Sequence, residues 1–247
     1  MEERPNALLL KFPGTNCDSE TARALEAAGF TAEVLPIARA TERALESTHL
    51  VVLSGGFSYG DYVMAGRLAQ LEVERKLGDS LIRFRDRGGY LLGICNGFQI
   101  LTKLGFLPRG SLINNTSGRF ICRWAGLKRE VSGNPFLNGL PESFELPVAH
   151  AEGRFIAPGG DAQEYLNKGL VALTYTSDIN GSSSAIAGLS DETGRVLGLM
   201  PHPERFLRAS NHYDPDWQGD CSEWGWGYMM FKSIHDTIAA EIADDSS

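Results

Sequence analysis

Between the apolar run Tyr90–Ile94 and the helix-like run Phe98–Leu104, the chain carries Gly93-Ile94-Cys95-Asn96-Gly97. A strand that turns directly into a helix through a G-x-nucleophile-x-G elbow narrows the fold more than any other feature of this sequence. The glycines let strand and helix approach closely and hold the central residue in a sharp, exposed turn. The position also lies at the positive end of the following helix, a place that suits the reactive thiolate form of a cysteine. A lone cysteine is usually a buried core residue. The strand before Cys95 and the helix after it reverse that expectation.

The flanking sequence repeats the alternation. Ala7–Phe12, Glu33–Ile37 and Leu50–Ser54 read as short strands, the first ending at Pro13-Gly14 and the third at Gly55-Gly56. Asp18 and Ser19 are cap candidates for a helix that places Ala22, Leu25 and Ala28 on one face, and Gly29 is placed to stop it. One helix is expected near Leu68–Arg87, ended by Gly88-Gly89. This pattern predicts an α/β fold, a mostly parallel sheet with helices on both faces, whose ligands gather at the carboxyl ends of the strands. The second half is more β-like. Leu170–Thr176 reads as a strand, Ala185–Leu189 and Val196–Met200 as a β-hairpin, and a last helix is expected near Tyr228–Ala243. No repeat, low-complexity stretch or linker divides the 247 residues, so a single domain over 1–247 is expected.

Charge and composition remove several function classes. A formal net charge of −8 argues against nonspecific nucleic-acid binding, which needs clustered Lys and Arg. No apolar run approaches the roughly 18 residues of a membrane span, and the first residues lack the pattern of a secretory signal, so a cytoplasmic location is expected. Cys17, Cys95, Cys122 and Cys221 are scattered without a C-x-x-C pair, so neither a disulfide framework nor a zinc site is expected.

A reactive thiol needs a proton carrier. Pro201-His202-Pro203-Glu204 follows the strand Val196–Met200 and so falls at a strand end as well. In an extended segment His202 and Glu204 point the same way, and the carboxylate can orient the imidazole. The chain order Cys95, His202, Glu204 favours a triad over a surface turn with an incidental histidine. The Asn96 N–H is a natural oxyanion donor, and a second can come from Gly55-Gly56-Phe57-Ser58-Tyr59-Gly60-Asp61. That loop lacks the lysine and spacing of a nucleotide phosphate cradle. Cys17 has no flanking glycine spacing and reads as structural. His150 is balanced between a ligand contact and a loop histidine, while His49, His212 and His235 carry no pattern. Trp217, Trp224, Trp226 and Tyr228 read as a partner surface or as a segment folded back on its own domain.

The elbow Gly-Ile-Cys-Asn-Gly-Phe-Gln and the distant Pro-His-Pro-Glu-Arg resemble a class I (triad-type) glutamine amidotransferase. Phe12–Asp18, Gly55–Asp61, Asn115-Thr116-Ser117-Gly118-Arg119-Phe120 and Asn180-Gly181-Ser182 are similar to the glutaminase subunits of phosphoribosylformylglycinamidine synthases, which act in purine biosynthesis. The resemblance implies a flavodoxin-like class I amidotransferase fold. It also implies Cys95 as nucleophile through a glutamyl thioester, His202 as proton carrier, Glu204 as its orienter, and Gly56 and Asn96 as oxyanion donors. Gln99 and the segment His150, Ala151, Glu152 would bind glutamine. The ammonia would pass to a large synthetase subunit, which uses ATP and Mg to convert formylglycinamide ribonucleotide to the amidine, with a small bridging subunit in many bacteria. No metal or cofactor is expected on this chain. Two departures stand out: Ala151 replaces a common glycine, so its φ decides whether the methyl fits, and the segment Asn211–Tyr228 is longer than usual. Starting at Met1 and carrying no synthetase region, the chain reads as a free-standing subunit. The rivals are a triad glutaminase serving another synthetase, a hydrolase of the cysteine-peptidase kind, and an inactive scaffold subunit, the last disfavoured because all three triad residues are present.

Overall fold

The computed structural model describes residues 4–61, 66–160, 162–217 and 223–245. Its first half contains β1 (Asn6–Lys11), α1 (Asp18–Ala28), β2 (Thr31–Pro36), β3 (Leu50–Leu53), α2 (Arg67–Lys76), α3 (Gly78–Asp86), β4 (Tyr90–Ile94) and α4 (Asn96–Lys103). The second half contains β5 (Ser111–Ile113), β6 (Ile121–Arg129), β7 (Ser143–His150), β8 (Arg154–Ile156), α5 (Gln163–Asn167), β9 (Val171–Tyr175), β10 (Ile186–Ser190), β11 (Val196–Leu199) and α6 (Trp226–Asp245).

Nine strands form one sheet in the order β2-β1-β3-β4-β11-β10-β9-β6-β7, and β5 and β8 pair separately. From β2 to β11 neighbouring strands are parallel; from β11 to β7 they are antiparallel. The two halves bury differently. β3, β4 and β11 are buried at every residue, the mark of parallel strands covered on both faces. β7 alternates, with Phe144, Leu146, Val148 and His150 buried and their neighbours partly exposed. The parallel α/β half and the antiparallel β10–β11 hairpin match the sequence expectation.

Several local expectations are corrected. The helix expected near Leu68–Arg87 is two helices, because Leu77 at φ −117° and Gly78 at φ +34° break it. The residue at the start of α1 is Cys17, not Asp18 or Ser19; Asp18 instead pairs with Lys11 at 2.7 Å. Strands β5 to β8 lie where no element is expected from the sequence. Pro203–Arg205 is a 3-10 turn rather than extended chain. Gly29 does stop α1, at φ +112°.

Parallel strands that point one way deliver their following loops to one edge of the sheet. The loops after β1 and β3 touch through a Thr15–Gly56 bridge, and the Cys95 N–H after β4 donates to Leu199 O at the end of β11 (2.7 Å). Cys221 lies outside the described residues. Among those described, no helix is long and apolar enough to cross a membrane.

Candidate active site

The elbow is built by steric necessity. A Cβ on Gly97 would sit 1.9 Å from Leu53 O, and one on Gly93 would sit 2.6 Å from Gly97 O. Only glycine at both positions lets α4 start against β3 and β4. The turn then forces Cys95 to φ 52°, ψ −104°, a strained region for a residue with a side chain. Its thiol is only slightly exposed and lies 3.8 Å from Ala149 O, at the end of β7.

His202 and Glu204 meet across the 3-10 turn, with the His202 Nδ1–H donating to Glu204 Oε1 at 2.7 Å, both side chains buried. With Nδ1 engaged, Nε2 is the ring nitrogen left to exchange a proton, and among the described residues it makes no hydrogen bond. Burial works against the imidazolium, but the Glu204 carboxylate, and then the Cys95 and Cys17 sulfurs, outweigh it and hold the His202 pKa well above its ordinary value. The turn is clamped from outside. Its Pro203 O would lie 1.8 Å from a Cβ on Gly227 at the start of α6, and Phe206 packs against Trp124, Trp217 and Trp226 at 4.8 to 5.7 Å between ring centroids. The described part of the Trp-rich segment is thus folded back on its own chain.

A cavity of about 400 Å³ opens at this edge of the sheet. Seven of the nine residues singled out from the sequence line it: Cys95, His202, Gly56, Gln99, His150, Ala151 and Glu152. Glu204 stands behind His202, and Asn96 behind Cys95 at the head of α4. Gly56, at φ +143°, accommodates no Cβ, which would lie 2.8 Å from Asn16 N. The bridge beside it is carried by its neighbour, the Phe57 N–H donating to Gly14 O, so the Gly56 amide is not spent on the bridge. Gln99 is engaged at both ends, accepting from Asn96 Nδ2 (2.8 Å) and donating to Glu152 O (2.6 Å). Ala151 is not among the residues at positive φ, so its methyl adds no backbone strain.

His150 is buried, and its Nδ1–H donates to Asn115 Oδ1 at 3.0 Å. Burial, with the nearby His202 charge, lowers its pKa to about 4, so it is neutral near pH 7. Sequence reasoning set Cys17 aside as structural; the structure places its thiol beside His202, accepting from Arg205 Nη2 at 3.2 Å. Nothing local marked it, since the contact joins the loop after β1 to the loop after β11. Cys17 Sγ, a His202 nitrogen and a Glu204 oxygen lie within 4.8 Å of one another. The 2.7 Å His202–Glu204 contact is shorter than the roughly 3.3 Å between two ligands of a tetrahedral zinc, so this geometry is that of a hydrogen-bonded pair.

A strained thiol at a strand–helix elbow, a buried His–Glu pair and a small cavity form an arrangement suited to acyl transfer from a small amide. The model of the CobB/CobQ-like glutamine amidotransferase domain matches residues 4–236. The chain belongs to this family. Among relatives of this amidotransferase, phosphoribosylformylglycinamidine synthase subunit PurQ of Dehalococcoides mccartyi is 40% identical, over 92% of this chain and 94% of that one. The subunit of the same name from Thermotoga maritima is also 40% identical, over 82% and 88%. In the solved structure of PurLQS from Thermotoga maritima, one chain superposes with a TM-score of 0.80 at 35% identity, covering 96% of this amidotransferase and 100% of that chain.

Proposed function

We propose that this amidotransferase is the glutaminase subunit of a phosphoribosylformylglycinamidine synthase. The observation that carries the reading is the convergence of Cys95, His202 and Glu204 on one small cavity, in a chain whose relatives bear that subunit's name. The Cys95 thiol passes its proton to His202 Nε2 as the sulfur attacks the side-chain carbonyl carbon of glutamine. The carbonyl oxygen takes up negative charge, facing the N–H groups of Gly56 and Asn96. The C–N bond breaks as His202 gives its proton to the departing nitrogen, so ammonia leaves and a glutamyl thioester remains. His202 then takes a proton from water, which attacks the thioester; glutamate departs and Cys95 is restored. Glu204 holds the imidazole in the tautomer this requires.

The amino-acid end of glutamine lies along Ala151 and Glu152. The cavity suits one small amide rather than an extended peptide, which disfavours the peptidase rival. Ammonia passes to a synthetase subunit that uses ATP and Mg to make formylglycinamidine ribonucleotide, with a small subunit bridging the two. This chain acts as one domain in the cytoplasm and itself needs no metal or cofactor.

The test is glutamate release from glutamine by the purified chain, alone and with a matching synthetase, ATP and formylglycinamide ribonucleotide. Release that rises with the complete mixture and vanishes in Cys95→Ala is expected. Release that depends on Cys95 but ignores this partner and its substrate would remove the assigned acceptor.

A further inference from the structure

The carbonyls of residues 150–153 are each held by a donor from elsewhere in the chain, and the first three of these residues line the cavity. Asn115 Nδ2 donates to His150 O and the Asn115 N–H to Ala151 O, both at 2.9 Å. Gln99 Nε2 donates to Glu152 O at 2.6 Å, and Asn180 Nδ2 to Gly153 O at 2.9 Å. Asn115 and Asn180 are almost fully buried, 3% and 1% exposed. In a planar trans peptide the carbonyl and the following N–H point in opposite directions, so holding the carbonyls also aims the amides. The Gly153 N–H returns to Asn115 Oδ1 at 3.4 Å, which leaves the peptide groups entering Ala151 and Glu152 as the ones beside the Cys95 cavity.

Each asparagine is suited to this by carrying a donor and an acceptor. Asn115 Oδ1 receives the His150 ring N–H while its Nδ2 also reaches Arg119 O at 2.9 Å. Asn180 Oδ1 receives the Ser182 N–H at 3.1 Å and the Ser182 hydroxyl at 2.8 Å, which fixes its amide group with Nδ2 toward Gly153 O. An aspartate would keep these acceptor contacts and turn an oxygen toward a buried carbonyl.

We propose that Asn115 is a positioning residue for substrate. It holds the carbonyls of His150 and Ala151, sets which way the peptide groups entering Ala151 and Glu152 face, and so governs affinity for the amino-acid end of glutamine while leaving the thiol chemistry alone; Asn180 anchors the far end of the turn, at the peptide entering Arg154. The inference rests on glutamine being the substrate. It gives the Asn115–Phe120 motif a task that neither the triad nor the oxyanion donors account for.

The test compares Asn115→Asp with wild type, each assayed with the synthetase mixture, by KM and kcat for glutamate release and by the rate at which iodoacetamide alkylates Cys95. A KM for glutamine raised by about tenfold or more is expected, with kcat and alkylation changed by less than about threefold. Asn134→Asp is the control: Asn134 is also buried and donates to Ser190 Oγ, far from the cavity, so its KM should stay at the wild-type value. A KM for Asn115→Asp within about twofold of wild type would overturn the proposal, as would an equal rise in both variants. If Asn115→Asp does not fold, Asn115→Ala is judged by the same criteria. Wild type without Cys95-dependent release would instead remove the glutaminase reading and the inference with it.

Discussion

The parallel and antiparallel halves of the sheet supply opposite walls of one cavity by different physical means. In the parallel half, position follows from strand ends. Cys95, Gly56 and His202 sit where β4, β3 and β11 finish, and backbone sterics fix them: Gly56, Gly93 and Gly97 admit no Cβ, Cys95 is at positive φ, and Gly227 closes on the turn after His202. In the antiparallel half, the wall is the turn after β7, and side-chain amides from three separate segments hold it. Steric constraints of the first kind tolerate almost nothing. Hydrogen-bonded constraints of the second kind weaken by degrees, because each contact contributes about 1 kcal/mol, more where a buried group loses its partner.

The contrast yields a ranked set of expectations. Gly97→Ala should have the largest effect, since its methyl meets a backbone carbonyl that cannot step aside; a stability loss upward of about 3 kcal/mol is expected from urea unfolding. An alanine there that folds with normal stability would break the steric account of the elbow. Glu204→Gln should leave the fold intact and lower kcat by on the order of 10²–10⁴-fold, because the imidazole loses the charge that orients and supports it. Activity near wild type would exclude Glu204 from the relay.

Next comes a pH effect in the antiparallel half. His150 has a pKa of about 4 in the folded chain, below the value of about 6.5 it has when unfolded. The folded state therefore binds fewer protons between these values. Its contribution to stability is intact above about pH 6.5 and is lost as pH falls through 4, by on the order of 3 kcal/mol. Urea midpoints measured across that window should fall more steeply for wild type than for His150→Gln; parallel curves would contradict the neutral, buried assignment. The smallest change is expected for Ala151→Gly. With no positive φ to relieve, KM should stay within about twofold, and a larger fall would mean that the methyl crowds the substrate.

The same division explains what was legible in the sequence. The elbow, the strand–helix alternation and the triad order could be read because each is a local pattern whose geometry the backbone dictates. The place of Cys17 beside His202 could not, because it arises between loops far apart in the chain, with Arg205 reaching Cys17 across 188 positions. Asn115 and Asn180 stood inside recognisable motifs, yet nothing in those motifs names a carbonyl at 150 or 153 as the partner. β5 to β8 went unread since antiparallel strands draw their stability from cross-strand partners as much as from their own composition. The His202–Glu204 pairing was anticipated from an extended segment, whereas a 3-10 turn brings the two groups together.

The central claim is that Cys95, rather than the neighbouring Cys17, reacts with the side chain of glutamine. An electrophilic glutamine analogue, reacted with the chain in its synthetase complex and mapped by peptide mass spectrometry, tests this directly. The account predicts one label per chain, on Cys95, formed more slowly when glutamine is present. A label on Cys17, or labelling of Cys95 that glutamine does not slow, would contradict it.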